Sequence, residues 1–433
     1  MPGNPLPSAP GTRWRQLAVL SPTVLTDNSE TSVVSTLFAS IRQTLGIALG
    51  ALGTLQAVSR VVGMVCGPLW VLLTRRWGRK AVLVISGVWM AAAMAACALA
   101  QNFPQLLVLY GLAAVGAAAG QPVIHEIIGD LFDEGARGRA VGWLYGGVTL
   151  AGSLLTPVIA QVAGAPHGWR TGFLVIAAIM LAAALLVLCA YRDPGTGAAD
   201  GLDARAAATS HRITRAQLAR LFTVPTFVLM VVQRLLSGHL LAATFGIVFL
   251  VDAYGFSTQA AALITLPSGL GYLLGTVAGG IVTDRVQRAH PWHGRIVLLQ
   301  LAQILYAVVA FLGTQHDWGG IGVFAAFFGV MAFFQGVNPG INRPLVMAVV
   351  PPELRGAAFA VLISIAEAVA YAVFALGAGA LGEAIGLKAV FFWVLVVLMV
   401  VNGAFCGLLH RTYPADVRAV QQEPAARNAL PAG

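Results

Sequence analysis

The sequence predicts an all-α polytopic membrane protein, with about twelve transmembrane helices in two similar six-helix parts. Three observations carry this expectation. Of 433 residues, 58% are hydrophobic and only 10% are charged, and the mean hydropathy is +0.81. A soluble chain averages roughly 25% charged residues, so this surface cannot be clothed against water and much of it must face lipid. Long apolar runs recur along the whole chain, and the polar segments between them repeat at shifts of 209 and 218 residues.

A span needs about 20 mostly apolar residues. Runs of this kind lie near 16–40, 47–73, 80–100, 104–130, 140–163, 169–190, 225–251, 258–283, 296–315, 318–347, 357–382 and 389–409. The first, fourth and seventh carry several polar residues, as helices lining a water-filled cavity do. The longest polar stretch divides the spans six and six. The expected organisation is a first six-helix half over 1–191, a cytoplasmic linker over 192–224, a second half over 225–410 and a cytoplasmic tail over 411–433.

Charge gives the orientation. With the N-terminus in the cytoplasm, twenty of the 26 Lys and Arg fall in cytoplasmic segments. Arg42, Arg170 and Lys388 fall outside, and Arg60, Arg234 and Arg343 lie within spans. Such a bias is the positive-inside signature and predicts that both termini are cytoplasmic, as in a multi-pass protein of the inner (plasma) membrane. It also accounts for the net charge of +9 without nucleic acid as a partner. Cys66, Cys97, Cys189 and Cys406 all lie in apolar runs without metal or CxxC spacing and read as small hydrophobes. The N-terminal segment lacks the basic-then-apolar pattern of a cleaved signal peptide.

The internal repeat sets VLLTRRWGRK (71–80) against GIVTDRVQRA (280–289). It also sets RGRAVG (137–142) against RGAAFA (355–360), and GWRTGF (168–173) against GLKAVF (386–391). Like-oriented halves are implied. The first pair resembles the loop 2–3 motif of the major facilitator superfamily, G-x-x-x-D-R-x-G-R-K. Gly280, Asp284, Arg285 and Arg288 match it in the second half, with Gln287 at the later glycine. Arg76, Gly78, Arg79 and Lys80 match it in the first half, with Val71 and Arg75 departing. The resemblance implies gating roles for Gly78, Arg79, Asp284 and Arg285, with Asp284 capping the start of span 5 near Arg137 and Arg139. Arg75 has the wrong sign for the equivalent latch. The plainer alternative is that these basic loops set topology only. Span 5, GWLYGGVTLAGSLLTPVIA (142–160), is similar to the superfamily's antiporter motif at Gly142, Gly146, Gly152 and Pro157, but Thr156 replaces a glycine. The subfamily stays open, with a slight spinster-like resemblance over GDLFDEGARGRAVG (129–142).

Ionisable groups inside a bilayer are costly and point to function. Nine lie in the spans: Asp27, Glu30, Arg60, His125, Glu126, Arg234, His239, Arg343 and Glu367. The resemblance makes spans 1, 4, 7 and 10 the cavity lining, and all of these residues except Arg60 and Glu367 sit on those spans. Asp27 and Glu30, three residues apart, share a helix face. Two carboxylates in a low dielectric resist being ionised together, which suits proton coupling, with Glu126 as a third candidate. The alternative is a structural ion pair with Arg60 or Arg234. HEIIG (125–129) lacks the second histidine of a zinc helix, so no metal is expected. The 218-residue shift pairs His125 with Arg343, a possible clamp for an anion, since a guanidinium binds carboxylate or phosphate bidentately. A buried ion pair of Arg343 with Glu126 is the competing reading. Arg234, His239, Gln335 and Asn338 complete the candidate solute contacts. The amides, with Asn28, Gln121, Gln233 and Asn342, could equally be helix–helix hydrogen bonds. The resemblance packs span 2 on span 11, so Arg60 and Glu367, both near mid-span, are expected to form a salt bridge between the halves, either a gating bridge made in one access state or a static one. Gly271, Gly275 and Gly279, like Gly116 and Gly120, have close-packing spacing.

These features predict a secondary active transporter working by alternating access on a small-molecule solute. It would be proton-coupled, with a tilt to anionic or amphipathic solutes. A drug or metabolite efflux antiporter and a non-transporting sensor are the alternatives. No nucleophile–base signature suggests an enzyme, and no Walker motif suggests ATP as the driver. No cofactor is implied, and the resemblance suggests that a monomer in the lipid bilayer suffices.

Overall fold

Lipid offers no partner to backbone N–H and C=O groups, so each segment must satisfy them internally. Every element among the described residues is accordingly helical. The computed structural model describes residues 10–132, 134–163, 165, 167–193, 195, 219–351 and 354–428. The helices are α1 (Pro10–Leu45), α2 (Gly50–Trp77), α3 (Arg79–Cys97), α4 (Phe103–Leu131), α5 (Glu134–Ala163) and α6 (Gly168–Ala190). They continue as α7 (Pro225–Tyr254), α8 (Thr258–Ala289), α9 (Gly294–Gln315), α10 (Ile321–Val349), α11 (Arg355–Ile385) and α12 (Leu387–Gln422). Eleven are long and apolar enough to cross a membrane. The exception, α1, has the length but carries Asp27, Asn28 and Glu30 among serines and threonines at its centre.

Helix continues past 411 to Asn428, across residues expected as a cytoplasmic tail. Its apolar residues Tyr413 and Val417 are buried, and Asp416 accepts a hydrogen bond from the Thr226 amide at the start of α7 (2.8 Å), an anion placed at a helix N-terminus. Most of the expected linker, 194 and 196–218, lies outside the described residues.

Several helices are interrupted. The two helical parts of α4 meet at Ala118–Ala119. The turns of α7 break between Leu235 and Leu240, where Asn402 of α12 donates to the Gln233 and Leu236 carbonyls at 3.3 and 3.2 Å. That amide satisfies acceptors the break leaves open. At Gly238 a Cβ would collide with the Val394 carbonyl, so no larger residue fits there. π-helical turns interrupt α11 at Ala360–Ala366 and α12 at Phe392–Val397.

The chain falls into two compact units. The first holds the described residues of Met1–His211 with Ile247–Leu263 and Ala375–Glu383; the second holds those of Arg212–Gly246, Ile264–Phe374 and Ala384–Gly433. In the first, Leu17, Leu20 and Val24 of α1 meet Val82 and Leu83 of α3, Val123 and Ile127 of α4, and Leu144 of α5. In the second, Phe227 and Met230 of α7 pack with Ile296 and Leu299 of α9, Leu345 of α10, Leu362 of α11 and Tyr413. Leucines and valines such as Leu72, Leu99 and Val373 remain exposed, as expected of surfaces that lipid covers.

The glycine spacing of α8 does what its pattern predicts. Added Cβ atoms on Gly271 and Gly275 would strike the Gly329 and Phe333 carbonyls of α10, and one on Gly279 would come within 2.8 Å of Val337. Without such residues the two backbones could not meet. Gly279→Ala is therefore expected to lower the melting temperature of the solubilised protein, an overpacking cost of about 1–3 kcal/mol. Its neighbour Gly280, where a Cβ meets nothing within 4 Å, should accept alanine without loss; equal melting temperatures for the two variants would contradict the close-packing account.

Candidate functional site

The polar interior of the first unit is built on α1. Asp27 and Glu30 leave the same face of the helix and then diverge. Asp27 turns to α4, where its Oδ2 fills the space that a side chain on Gly120 would need, just past the interruption of that helix. That oxygen is buried and has no hydrogen-bond partner. Glu30 is 3% exposed. Its Oε2 accepts from the Ser59 hydroxyl of α2 at 3.1 Å, and the Tyr110 hydroxyl of α4 lies close enough to hydrogen-bond the same carboxylate. The Arg60 guanidinium and the Tyr110 hydroxyl lie close enough to act on the Glu30 charge, and Glu30 acts in turn on Asp27. A buried carboxylate oxygen with no donor is expensive. A proton bound to Asp27 would remove that charge.

A second cluster closes the basic-loop end of the same unit. Gly78, with φ of +81°, makes the turn between α2 and α3, a conformation that favours glycine. Arg79 follows as the first residue of α3 and is 5% exposed. It forks onto both oxygens of Asp193, beyond α6, and pairs with Asp130 near the end of α4. Fork-to-carboxylate pairing is both strong and directional, so this arginine ties together the ends of α3, α4 and α6. Glu126 lies 3.9 Å from the same guanidinium. The three acids expected to carry protons are thus divided: Asp27 and Glu30 are together, and Glu126 accompanies Arg79. His125 is exposed, with its Nδ1 2.8 Å from the Gln121 carbonyl of its own helix.

In the second unit Glu367 of α11 pairs with Arg234 of α7 at 2.5 Å. The expected partner of Glu367 was Arg60; spacing along two helices could not show that Arg234 reaches it, while Arg60 lies beside Glu30. Tyr272 of α8 is close enough to feel Glu367, Arg234, Tyr371 and the Arg343 guanidinium of α10. Four helices therefore converge on one polar group. Arg343 is exposed, and no hydrogen bond or ion pair engages its guanidinium among the described residues.

Two expected solute contacts lie in the interior of this unit instead. His239, at the interruption of α7, is 2% exposed and packs edge-on to Tyr306, with ring centres 5.9 Å apart. Asn338 accepts from the buried Gln303 amide of α9 at 2.5 Å, because a buried amide must find a partner. Gln335 is half-buried. Asp284 and Arg285 are exposed, and the Asp284 carbonyl accepts from Arg288 Nε at 3.2 Å. The expected cap near Arg137 and Arg139 falls on side chains outside the described residues. Sequence reasoning missed Ser59, Tyr110, Asp130, Asp193, Tyr272 and Tyr371. Only Asp130 gave a signal, an acid one turn beyond Glu126 on the same face.

The model of the Major Facilitator Superfamily matches residues 23–361. Among curated proteins, the chain is 30% identical over 259 residues to a chloramphenicol resistance protein of Streptomyces lividans, covering 58% of this chain and 62% of that one. It is 24% identical over 197 residues to the protein spinster of Drosophila melanogaster, covering 45% of this chain and 32% of that one. The matched stretch thus spans less than two thirds of these relatives' length. Among solved structures, a bacterial homologue of the human lysosomal transporter spinster aligns with a TM-score of 0.76 at 17% identity, covering 96% of this chain and 98% of that one. A D-xylose–proton symporter aligns with a TM-score of 0.72 at 18% identity, covering 91% and 97%. These structural likenesses concern the fold, and the family match reaches across α1 to α11. Together with the helical bundle and its intramembrane charges, it gives the conclusion that this chain belongs to the major facilitator superfamily.

Proposed function

We propose that the chain is a secondary active transporter that moves a small organic anion, or an amphipathic solute with an anionic group, by alternating access coupled to protons. The observation that carries this reading is a division of charge. The first unit holds Asp27 and Glu30 on one helix face, with Asp27 Oδ2 buried without a hydrogen-bond donor among the described residues and Glu30 served by the Ser59 and Tyr110 hydroxyls. The second presents Arg343, exposed and without a hydrogen bond or ion pair among the described residues, within reach of the same tyrosine, Tyr272, as Arg234 and Glu367. Acids of this kind suit a proton, and a free guanidinium suits a carboxylate or phosphate. The positive-inside bias supports a multi-pass plasma-membrane protein with both termini in the cytoplasm. A monomer suffices for the cycle.

Drug or metabolite efflux is the second reading. It is favoured by the named relatives, which include the chloramphenicol resistance protein and a multi-drug resistance efflux pump of Streptococcus pneumoniae, 29% identical over 141 residues. Proteoliposomes with an imposed pH gradient separate the readings. Organic anions, lipophilic cations and lysolipids would be offered in turn. Gradient-driven flux of anions supports the first reading; flux confined to cations or neutral drugs supports the second. Solute binding without flux in any class would support a sensor.

Asp27→Asn/Glu30→Gln is expected to abolish the dependence of flux on the pH gradient; gradient-driven flux that persists in this variant would rule out the pair as the coupling site. For Arg343→Gln the expected effect is a rise in KM for the anion of about ten-fold or more, the worth of a hydrogen bond to a charged group. Arg343→Lys should recover part of it, and an unchanged KM would remove Arg343 from the solute site. Glu367→Gln should destabilise the protein by about 3–5 kcal/mol because it strands Arg234 in the interior. The double variant Arg234→Gln/Glu367→Gln should recover much of that loss in a thermal-melt comparison.

A further inference from the structure

The turn between α8 and α9 reads HPWH over 290–293, and two of its side chains reach the far end of α12. The Trp292 ring lies under the Arg418 guanidinium, 5.1 Å from centre to carbon. His293 meets His410, with the two Nδ1 atoms 2.9 Å apart. The turn is itself fixed, since Gln287 at the end of α8 donates to the Pro291 carbonyl at 2.6 Å. Two glycines let α12 come close to α9 here. A Cβ on Gly403 would lie 2.9 Å from the Ile304 side chain, and one on Gly407 would lie 3.4 Å from the Gln300 side-chain nitrogen.

The protons of the histidine pair follow from the backbone outward. The Gly403 carbonyl can only accept, so Gln300 donates to it through Nε2 at 3.2 Å. That orientation turns Gln300 Oε1, an acceptor, towards His410 Nε2 at 3.1 Å. His410 therefore carries its proton on Nε2 and presents a lone pair at Nδ1, while His293 Nδ1 supplies the hydrogen between the rings. Metal-bound imidazoles are held in the same manner. One nitrogen takes the ion, and the other N–H is donated to an oxygen that fixes the tautomer and the ring. His410 is thus oriented as an Nδ1 ligand by Gln300. His293 is exposed, so its proton can pass through water to Nε2, which frees a second Nδ1 lone pair. Two nitrogens on one tetrahedral ion lie about 3.3 Å apart, and a small rotation of the His293 ring widens the present contact to that spacing.

We infer that His293 and His410 form a binding site for a divalent transition ion of the zinc, nickel or copper class, which clips the start of α9 to the end of α12. Imidazole nitrogen suits these ions, whereas magnesium and calcium prefer oxygen. No group of three or more His, Cys, Asp and Glu residues able to hold a metal occurs among the described residues, so water completes the coordination. The site is separate from the HEIIG segment. Neither histidine belongs to the proton or solute groups described above, so the inference does not depend on what the chain transports.

The test is calorimetric titration of the full chain in lipid nanodiscs, purified without a histidine tag and with Cys66 and Cys189 replaced by serine. Zinc is the probe and magnesium the control. One zinc ion should bind per chain and raise its melting temperature, and magnesium should do neither. Gln300→Leu keeps both imidazoles but removes the group that orients His410, and it should weaken zinc binding about ten-fold. His293→Ala should weaken it at least as much. That side chain is exposed and caps no amide of α9, so its loss leaves the fold in place. With copper as a second probe, the electron paramagnetic resonance spectrum should show coupling to two imidazole nitrogens, and to one in His293→Ala or His410→Ala. Absence of zinc binding, zinc affinity unchanged in His293→Ala and His410→Ala, or a copper spectrum that is the same in those variants would overturn the site.

Discussion

A charge inside a hydrocarbon layer has to be paired, hydrated or used, and the interior of this protein follows from that constraint. Only 10% of the residues are charged, so the partners of those in the described spans can be followed one by one. Arg79 is taken up by Asp130 and Asp193, and Arg234 by Glu367. Glu30 has Ser59 on one oxygen and Arg60 in reach. Among the described residues, Asp27 Oδ2 remains buried without a donor and the Arg343 guanidinium is exposed without a hydrogen bond or ion pair. The proposed chemistry is built on those remainders.

The helices are shaped to let these groups meet. Asp27 can enter α4 because Gly120 carries no side chain and the helix is interrupted just before it. The α7 turns open next to Arg234, and Asn402 repairs the carbonyls that the opening exposes. Glycines on α8 and α10 bring two backbones together at the flank of the Arg234–Glu367 group. Breaks and glycines of this kind are costly in water, but within a packed membrane bundle neighbouring helices satisfy the freed groups.

Much of this was legible from the residues alone. Apolar length and low charge identified the spans, because the bilayer imposes a thickness that any crossing helix must meet. The 209- and 218-residue shifts identified the repeat, and the glycine spacing of α8 identified a close contact. The Asp27–Glu30 face was also visible, since three residues along a helix always share a side. What stayed hidden depends on how helices tilt and rotate against each other. Nothing in the spacing of Arg60, Arg234 and Glu367 says which arginine reaches the glutamate. Nor does it say that Asn338 would turn to Gln303, or that the α7 break would carry His239 into the core. Asp193 sits at the end of a span, where an acid reads as ordinary loop polarity until its partner is seen.

The central claim is that a proton held by the Asp27–Glu30 group and an anion held near Arg343 are thermodynamically linked. Linkage requires that each ligand alter the binding of the other by the same factor. The most direct measurement is proton uptake by the purified protein in weakly buffered solution when a transported anion is added. The account predicts uptake that saturates with the anion and disappears in Asp27→Asn/Glu30→Gln, although that variant still binds the anion. Anion binding with no proton uptake, or uptake that is the same in the variant, would contradict it.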